Sequence, residues 1–326
     1  MIRRSNAYRK PKPFGLRSWF GRRPFQRLAW AAPAASAGDP GGSARSTVRL
    51  LLLALFGAGV VYLSLASVNI LVLGTDDVDY ARHTDTIMLI HWRPLPRRMA
   101  LLSIPRDTLI NLPKRGPIKL NAVYAYGNAL NGKAYAMAMT RAAVENLLGL
   151  KIHYVVHIHY SSFINMVDAL GGVPLYVAKR MRYTDRAGGV DIDLDPGYQL
   201  LDGRQALNYV RFRHDSEGDI GRIRRQQTFL KAFVSQMVGI TRLPHTLRAT
   251  LSFLREIESD LRWPATLFLA GEVKAVAGLP WRRAILPGQG VYIDGKSYWR
   301  TDPAEVRRTV ASLGRPPETK SSRKTP

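Results

Sequence analysis

The chain has no cysteine in its 326 residues. That absence removes disulfides, thiolate metal sites and cysteine nucleophiles, and is compatible with an oxidising compartment. Acidic residues are scarce: 24 Asp and Glu face 48 Lys and Arg, giving a formal net charge of +24. No Gly-x-Ser-x-Gly elbow is present, so an acyl-transfer hydrolase has no support. Internal repeats are missing too. What is abundant is apolar surface: a hydrophobic content of 46 % suffices for a packed core and excludes a wholly disordered chain.

The distribution of the positive charge matters more than its size. Residues 1–49 hold eleven Lys and Arg against one Asp. Residues 1–47 mix Arg, Pro, Gly, Ser and Ala without periodicity and read as a disordered basic arm. From Leu50 to Thr75 no residue is charged, and 48–68 is almost entirely apolar, which suits one transmembrane helix. A cleaved signal peptide would have a shorter apolar core closer to the N-terminus. The basic residues before the span place the arm in the cytoplasm and the body outside, so a single-pass protein of the cell membrane is expected. An external body cannot meet the chromosome, so the basic charge does not point to nucleic acid. The expected organisation is therefore arm 1–47, span 48–68, extracytoplasmic domain 69–314 and polar disordered tail 315–326.

Within the body, strand-like and helical runs alternate. Residues 69–74, 86–92, 99–104, 154–158 and 173–177 read as strands. The segment 93–98 reads as a hairpin connection that is not a tight turn. Helices are expected over 133–148, stopped by Gly149, and over 161–170, capped by Ser161 or Ser162. Further helices are expected over 220–238, 247–261 and 266–277, with a last one capped by Asp302. Leu201-Asp202-Gly203 is read as opening a helix that leads into a strand at Tyr209. The fold class is α/β, with helices on both faces of the sheet.

The most telling stretch is Tyr209-Val210-Arg211-Phe212-Arg213-His214-Asp215 and the following Gly218-Asp219-Ile220-Gly221-Arg222-Ile223-Arg224-Arg225-Gln226-Gln227. On a strand, Arg211 and Arg213 share a face. On the next helix, Arg222, Arg225 and Gln226 share a side. The window has few carboxylates to neutralise five arginines, so a phosphate or pyrophosphate is the expected counter-ion. A second constellation is Asp76, at the end of one strand, and Asp85, at the start of the next. Two carboxylates without thiols or clustered imidazoles suit a hard cation such as Mg²⁺, although paired turn-forming aspartates would look the same. A third is Ser103-Ile104-Pro105-Arg106-Asp107-Thr108, which delivers Arg106 to the same sheet edge; Arg106 and Asp107 could instead pair with each other. Lys119 follows in the next loop.

Two further signals are weaker. Gly290 to Ser297 fits the phosphate-loop pattern, but β-forming residues surround Asp294-Gly295, which reads as a hairpin turn. His153, His157 and His159 would share one strand face, yet three ligands on a single strand cannot close a tetrahedral zinc site unaided. Ordinary hydrogen-bonded histidines are the expectation there.

Together these residues resemble the LytR-CpsA-Psr family. Its Ser-Ile-Pro-Arg-Asp-Thr matches 103–108 without change, and its Val-Asp-Ala-Leu-Gly-Gly-Val matches 167–173. Its opening strand and acidic loop resemble 69–76, and its Asp-Thr-Met-Met-Leu resembles 85–89. Its Lys-Ile-Asn-Ala-Ala-Tyr resembles 119–124. Its two arginine motifs fall on 209–214 and 218–227. The departure is the short loop after Asp76, where His83 stands in place of the family's usual Arg and Arg82 lies one residue further back. The resemblance implies an α-β-α sandwich with a central mixed sheet and an apolar pocket for a polyprenyl chain. The implied activity is transfer of a glycopolymer from polyprenyl pyrophosphate to peptidoglycan. By the matching motifs, Asp76 and Asp85 would hold Mg²⁺, or Mn²⁺. Arg106, Arg211, Arg213, Arg222 and Gln226 would hold the pyrophosphate, with Lys119 and Arg225 as additional candidates and Asp107 as a possible base. A site so near the span suits a donor carried in membrane lipid. A phosphatase acting on the same pyrophosphate and a non-catalytic wall regulator remain as alternative readings.

Overall fold

The computed structural model describes residues 47–51, 54, 67–76, 83–113, 115–185, 190–240, 257–261 and 263–316. The chain divides into two units, residues 1–55 and 56–326, and every element described here belongs to the second. Most of the expected span at 48–68, residues 52, 53 and 55–66, lies outside the described residues. Among the described residues no helix is long and apolar enough to cross a membrane. Arg82, Asp77 and Asp79 also fall outside them.

The central sheet has six strands: β1 (Val68–Thr75), β2 (Thr84–Arg93), β3 (Arg98–Ser103), β6 (Tyr154–His159), β11 (Glu258–Ser259) and β12 (Trp281–Ile285). Their order is β11-β6-β1-β2-β3-β12. β1 runs antiparallel to β2 and parallel to β6; β3 runs antiparallel to β2 and parallel to β12. The sheet is thus mixed, as expected. Smaller pairs surround it: β4 (Leu109–Leu112) with β5 (Gly116–Lys119), β7 (Val173–Val177) with β10 (Gly197–Leu201), β8 (Met181–Asp185) with β9 (Val190–Leu194), and β13 (Gln289–Ile293) with β14 (Lys296–Arg300). The turn of the last pair is Asp294-Gly295, both with positive φ (50° and 72°), so the phosphate-loop pattern is a hairpin.

Strand alternation decides which layer each face meets. Leu71, Leu73, Ile87, Leu89 and Val155 join one core cluster. That cluster packs under α1 (Asn121–Leu148) and α6 (Pro303–Leu313), which Asp302 caps by accepting from the Ala304 N–H. On the opposite face lie α2 (Tyr160–Ala169), α3 (Gly203–Arg211), α4 (Gly218–Ile240) and α5 (Trp263–Ala277), whose apolar residues form two further clusters. Helices on both faces make the α-β-α layering.

Several expectations need correction. Tyr209 lies in helix α3, not on a strand. Asp202 and Gln205 form a reciprocal capping box, and Ala206, Leu207, Tyr209 and Val210 are buried at helical spacing. The β-forming Tyr-Val pair yields to that cap and burial. α1 begins at Asn121, ahead of the expected 133, and its two parts meet at a kink through Asn131 and Gly132. α2 has no side-chain cap; His159 precedes it, and neither serine caps it. The helix expected over 247–261 lies mostly outside the described residues, and its end is strand β11.

Candidate active site

Four strand termini meet at one edge of the sheet, as ligand sites of α/β folds do. Asp76 follows β1, Asp85 is the second residue of β2, Arg106 lies just past β3 and Tyr160 directly follows β6. The Arg106 Nη1 donates to Asp85 Oδ1 at 2.5 Å. The Tyr160 hydroxyl donates to Asp85 Oδ2 at 3.2 Å. Arg213 Nη2 lies 3.7 Å from the same carboxylate, and the Arg211 guanidinium sits 4.7 Å over the Tyr160 ring. Gln226 Nε2 donates to Thr86 Oγ1 at 2.9 Å.

Burial pushes the Asp85 carboxyl up, but Arg106, Arg222 and Arg213 together outweigh it and hold it below the usual carboxylate range. The Tyr160 phenol is pushed up, first by burial, then by Asp85, with Asp76 adding to the effect. Both carboxylates therefore act on one tyrosine. Burial lowers Arg222, and the nearby Arg213 and Arg106 lower it further. A cluster of cations that repel one another is relieved by an anion.

Two donor groups point the same way. The Arg222 Nε and Nη1, and the Arg106 Nε, are buried with no hydrogen-bond partner among the described residues. Buried guanidinium N–H groups left unmatched suit phosphate oxygens. Asp76 and Asp85 offer the oxygen donors of a hard cation, and Asp85 is already ionised, so the donor chemistry fits Mg²⁺.

Not every expected residue joins this centre. Asp107 is held by Lys119 at 3.0 Å, while Arg106 turns to Asp85 and leaves Asp107 3.9 Å away. Arg225 is buried and bonds Asp215 and the Phe212 carbonyl, so it braces the loop that carries Arg213. The local carboxylates also take more of the arginines than expected: Asp219 pairs with Arg222, Glu217 with Arg224 and Asp215 with Arg225. Arg211, Arg213 and the unmatched Nε and Nη1 of Arg222 are left for the site. Arg211 and Arg213 leave the last turn of α3 and the loop beyond it, so they converge without sharing a strand face. Tyr160 was missed by the sequence reading, since a tyrosine after an apolar run looks like core.

Behind the polar edge lies an apolar cavity of about 620 Å³. Val72, Met88, Ile90, Val156 and Ile158 give it a sheet floor, and Phe229 and Phe233 of α4 roof it. Tyr160, Thr86 and Gln226 belong to both the cavity wall and the polar cluster. The arrangement can hold an amphiphile, with an anionic head among arginines and a hydrocarbon tail inside.

The family model described as LytR_cpsA_psr matches residues 61–314. A polyisoprenyl-teichoic acid–peptidoglycan teichoic acid transferase TagU from Oceanobacillus iheyensis is 35% identical over 256 residues, covering 76% of this chain and 75% of that protein. The regulatory protein MsrR of Staphylococcus aureus is 32% identical over 183 residues, or 54% of this chain; the chain spans only about half (52%) of its length. The crystal structure of Bacillus subtilis TagV superposes with a TM-score of 0.64 at 23% identity, covering 76% of this chain and 95% of that one, a likeness of fold.

Proposed function

This chain belongs to the LytR_cpsA_psr family, and from that membership we propose that it transfers a glycopolymer from a polyprenyl-pyrophosphate carrier to peptidoglycan. The observation that carries the reading is the continuity of the apolar cavity with the arginine cluster at Tyr160, Thr86 and Gln226. A polyprenyl chain fits the first and a pyrophosphate the second.

In this reading Arg106, Arg211, Arg213 and Arg222 hold the pyrophosphate, and Gln226 marks the junction of head and tail. A muramic-acid hydroxyl attacks the phosphorus that bears the polymer. A new P–O bond forms to the acceptor, the P–O bond to the carrier breaks, and polyprenyl phosphate leaves with the electron pair. The hydroxyl proton passes to solvent or to a base that the geometry does not single out. The arginines offset the charge spread over the transferring phosphoryl group. Mg²⁺ held by Asp76 and Asp85 would add Lewis-acid stabilisation of that charge. Membrane anchoring through 48–68, with the arm inside and the body outside, keeps the site beside its lipid carrier.

The test is an assay of the full chain in detergent with a lipid-linked polymer and peptidoglycan. Polymer joined through a phosphodiester supports the transferase. Release of polymer phosphate with water as the sole acceptor makes the protein a pyrophosphatase. Wild-type function in cells with Asp85→Asn would leave only the regulator, a role suggested by the name of the Staphylococcus relative.

A further inference from the structure

On the α1 side of the sheet, next to the site just described, two imidazoles and a carboxylate converge. His157 and His159 alternate along β6, and Glu258 reaches them from the edge strand β11, which pairs with β6 in the register Glu258↔His157. The inner nitrogens point at the carboxylate: His157 Nδ1 lies 3.0 Å from Oε2, and His159 Nε2 lies 3.5 Å from Oε1. The outer nitrogens meet one buried hydroxyl, that of Thr75, with His157 Nε2 at 2.9 Å and His159 Nδ1 at 3.2 Å. His153, which precedes the strand, is not part of the group; its Nδ1 accepts from the Asn69 N–H.

Proton counting shows what this arrangement allows. The Thr75 hydroxyl carries one proton, so it can donate to one ring only, and the other ring must donate to it. With both rings neutral, one inner nitrogen then donates to Glu258, and the Tyr124 hydroxyl, 3.3 Å from His157 Nδ1, can serve the other inner lone pair when that ring is His157. A cation between the rings and the carboxylate would take both inner lone pairs at once. Both rings can then donate their outer N–H to the two lone pairs of Thr75, which is how oxygen acceptors fix metal-ligating histidines. A cation already rests here: the Lys133 ammonium lies 2.5 Å from Glu258 Oε1 on a half-exposed side chain that can swing into solvent.

We propose that His157, His159 and Glu258 form a binding site for a divalent cation of the zinc class, with Thr75 orienting both imidazoles and Lys133 occupying the cation's place in its absence. The donor set, two imidazoles and one carboxylate, is zinc chemistry and is distinct from the all-oxygen pair Asp76 and Asp85. Tetrahedral zinc sets neighbouring ligands about 3.3 Å apart, given its bond lengths. The two measured separations bracket that value, and all three ligand atoms lie within 4.8 Å of one another. The site is structural in position. It ties β11 to β6, and the residues flanking Glu258, Ile257 and Ser259, line the apolar cavity. Its other ligand, His159, immediately precedes Tyr160.

The experiment uses the full chain in detergent, stripped with chelator and dialysed against zinc chloride with excess Mg²⁺ to fill hard-oxygen sites. Zinc is counted by elemental mass spectrometry, and melting curves confirm that each variant is folded. About one zinc per chain is expected, raising the melting temperature, and it should be lost in His159→Gln and in Glu258→Gln. Both side chains reach solvent, so both variants should fold. Asp76→Asn should keep its zinc, which separates this site from the proposed transfer chemistry whatever the assay of that chemistry shows. No zinc in the wild type, or zinc retained by both ligand variants, overturns the proposal.

Discussion

At the scale of single residues, Asp85 is the hub of the polar cluster: one carboxylate takes Arg106 and Tyr160 directly and has Arg213 close by. We expect Asp76→Asn and Asp85→Asn each to lower transfer by orders of magnitude, with the double variant little worse because one ion serves both. Chelator should copy the loss in the wild type and Mg²⁺ or Mn²⁺ should reverse it; full turnover of both variants in chelator would end the metal-assisted reading. The arginines separate into two kinds. Arg213→Ala should cost about 1.5–3 kcal/mol in phosphate binding with the melting temperature nearly unchanged. Arg225→Ala should instead destabilise the fold by roughly 3 kcal/mol, because the Asp215 side chain, only 3% exposed, loses its buried partner and keeps only the half-exposed Lys179 at 3.4 Å. Calorimetry on the two variants distinguishes ligand holder from brace. The sequence could group these arginines by motif, but it could not tell them apart, since that depends on which carboxylates fold back on them. Tyr160 and Glu258 were illegible for a related reason: each acquires its role from a strand neighbour far away in the chain.

At the scale of elements, the alternation of β1, β2 and β6 was readable because burial on both faces imposes apolar runs. α3 was misread because its local β-formers are outweighed by a cap at Asp202 and by burial, neither of which a pattern of alternate arginines reveals. The pairing of β6 with β11 sets a pH dependence. Unfolded, His157 takes up a proton below its ordinary value of 6.5; folded and buried, only near 4. Between those values the unfolded chain binds more protons, so stability should decline as pH falls from 6.5 to 4 and this contribution then level off. The shift is worth on the order of 3 kcal/mol. Glu258, depressed from 4.5 to about 2, adds a further decline across that lower window. Melting temperatures of the metal-stripped chain should trace this profile, and His157→Gln should flatten its upper part; an unchanged slope would remove His157 as the cause.

At the scale of the whole molecule, the charge of the arm and the apolar run after it carry the expected topology. Protease added to intact spheroplasts should digest the body and spare the arm; a protected body would place the chemistry on the wrong side of the membrane for peptidoglycan. Each central strand also has two audiences. Along β1, Leu71 answers to the folding core, Ile70 and Val72 answer to the cavity, and Leu73 borders both. Neighbouring positions in the chain therefore meet separate physical constraints. Bulk added at the cavity positions would shorten the tail a carrier lipid can insert without loosening the core beneath. Descendants of this scaffold could drift in the chain length they accept while their thermal tolerance stayed where it was.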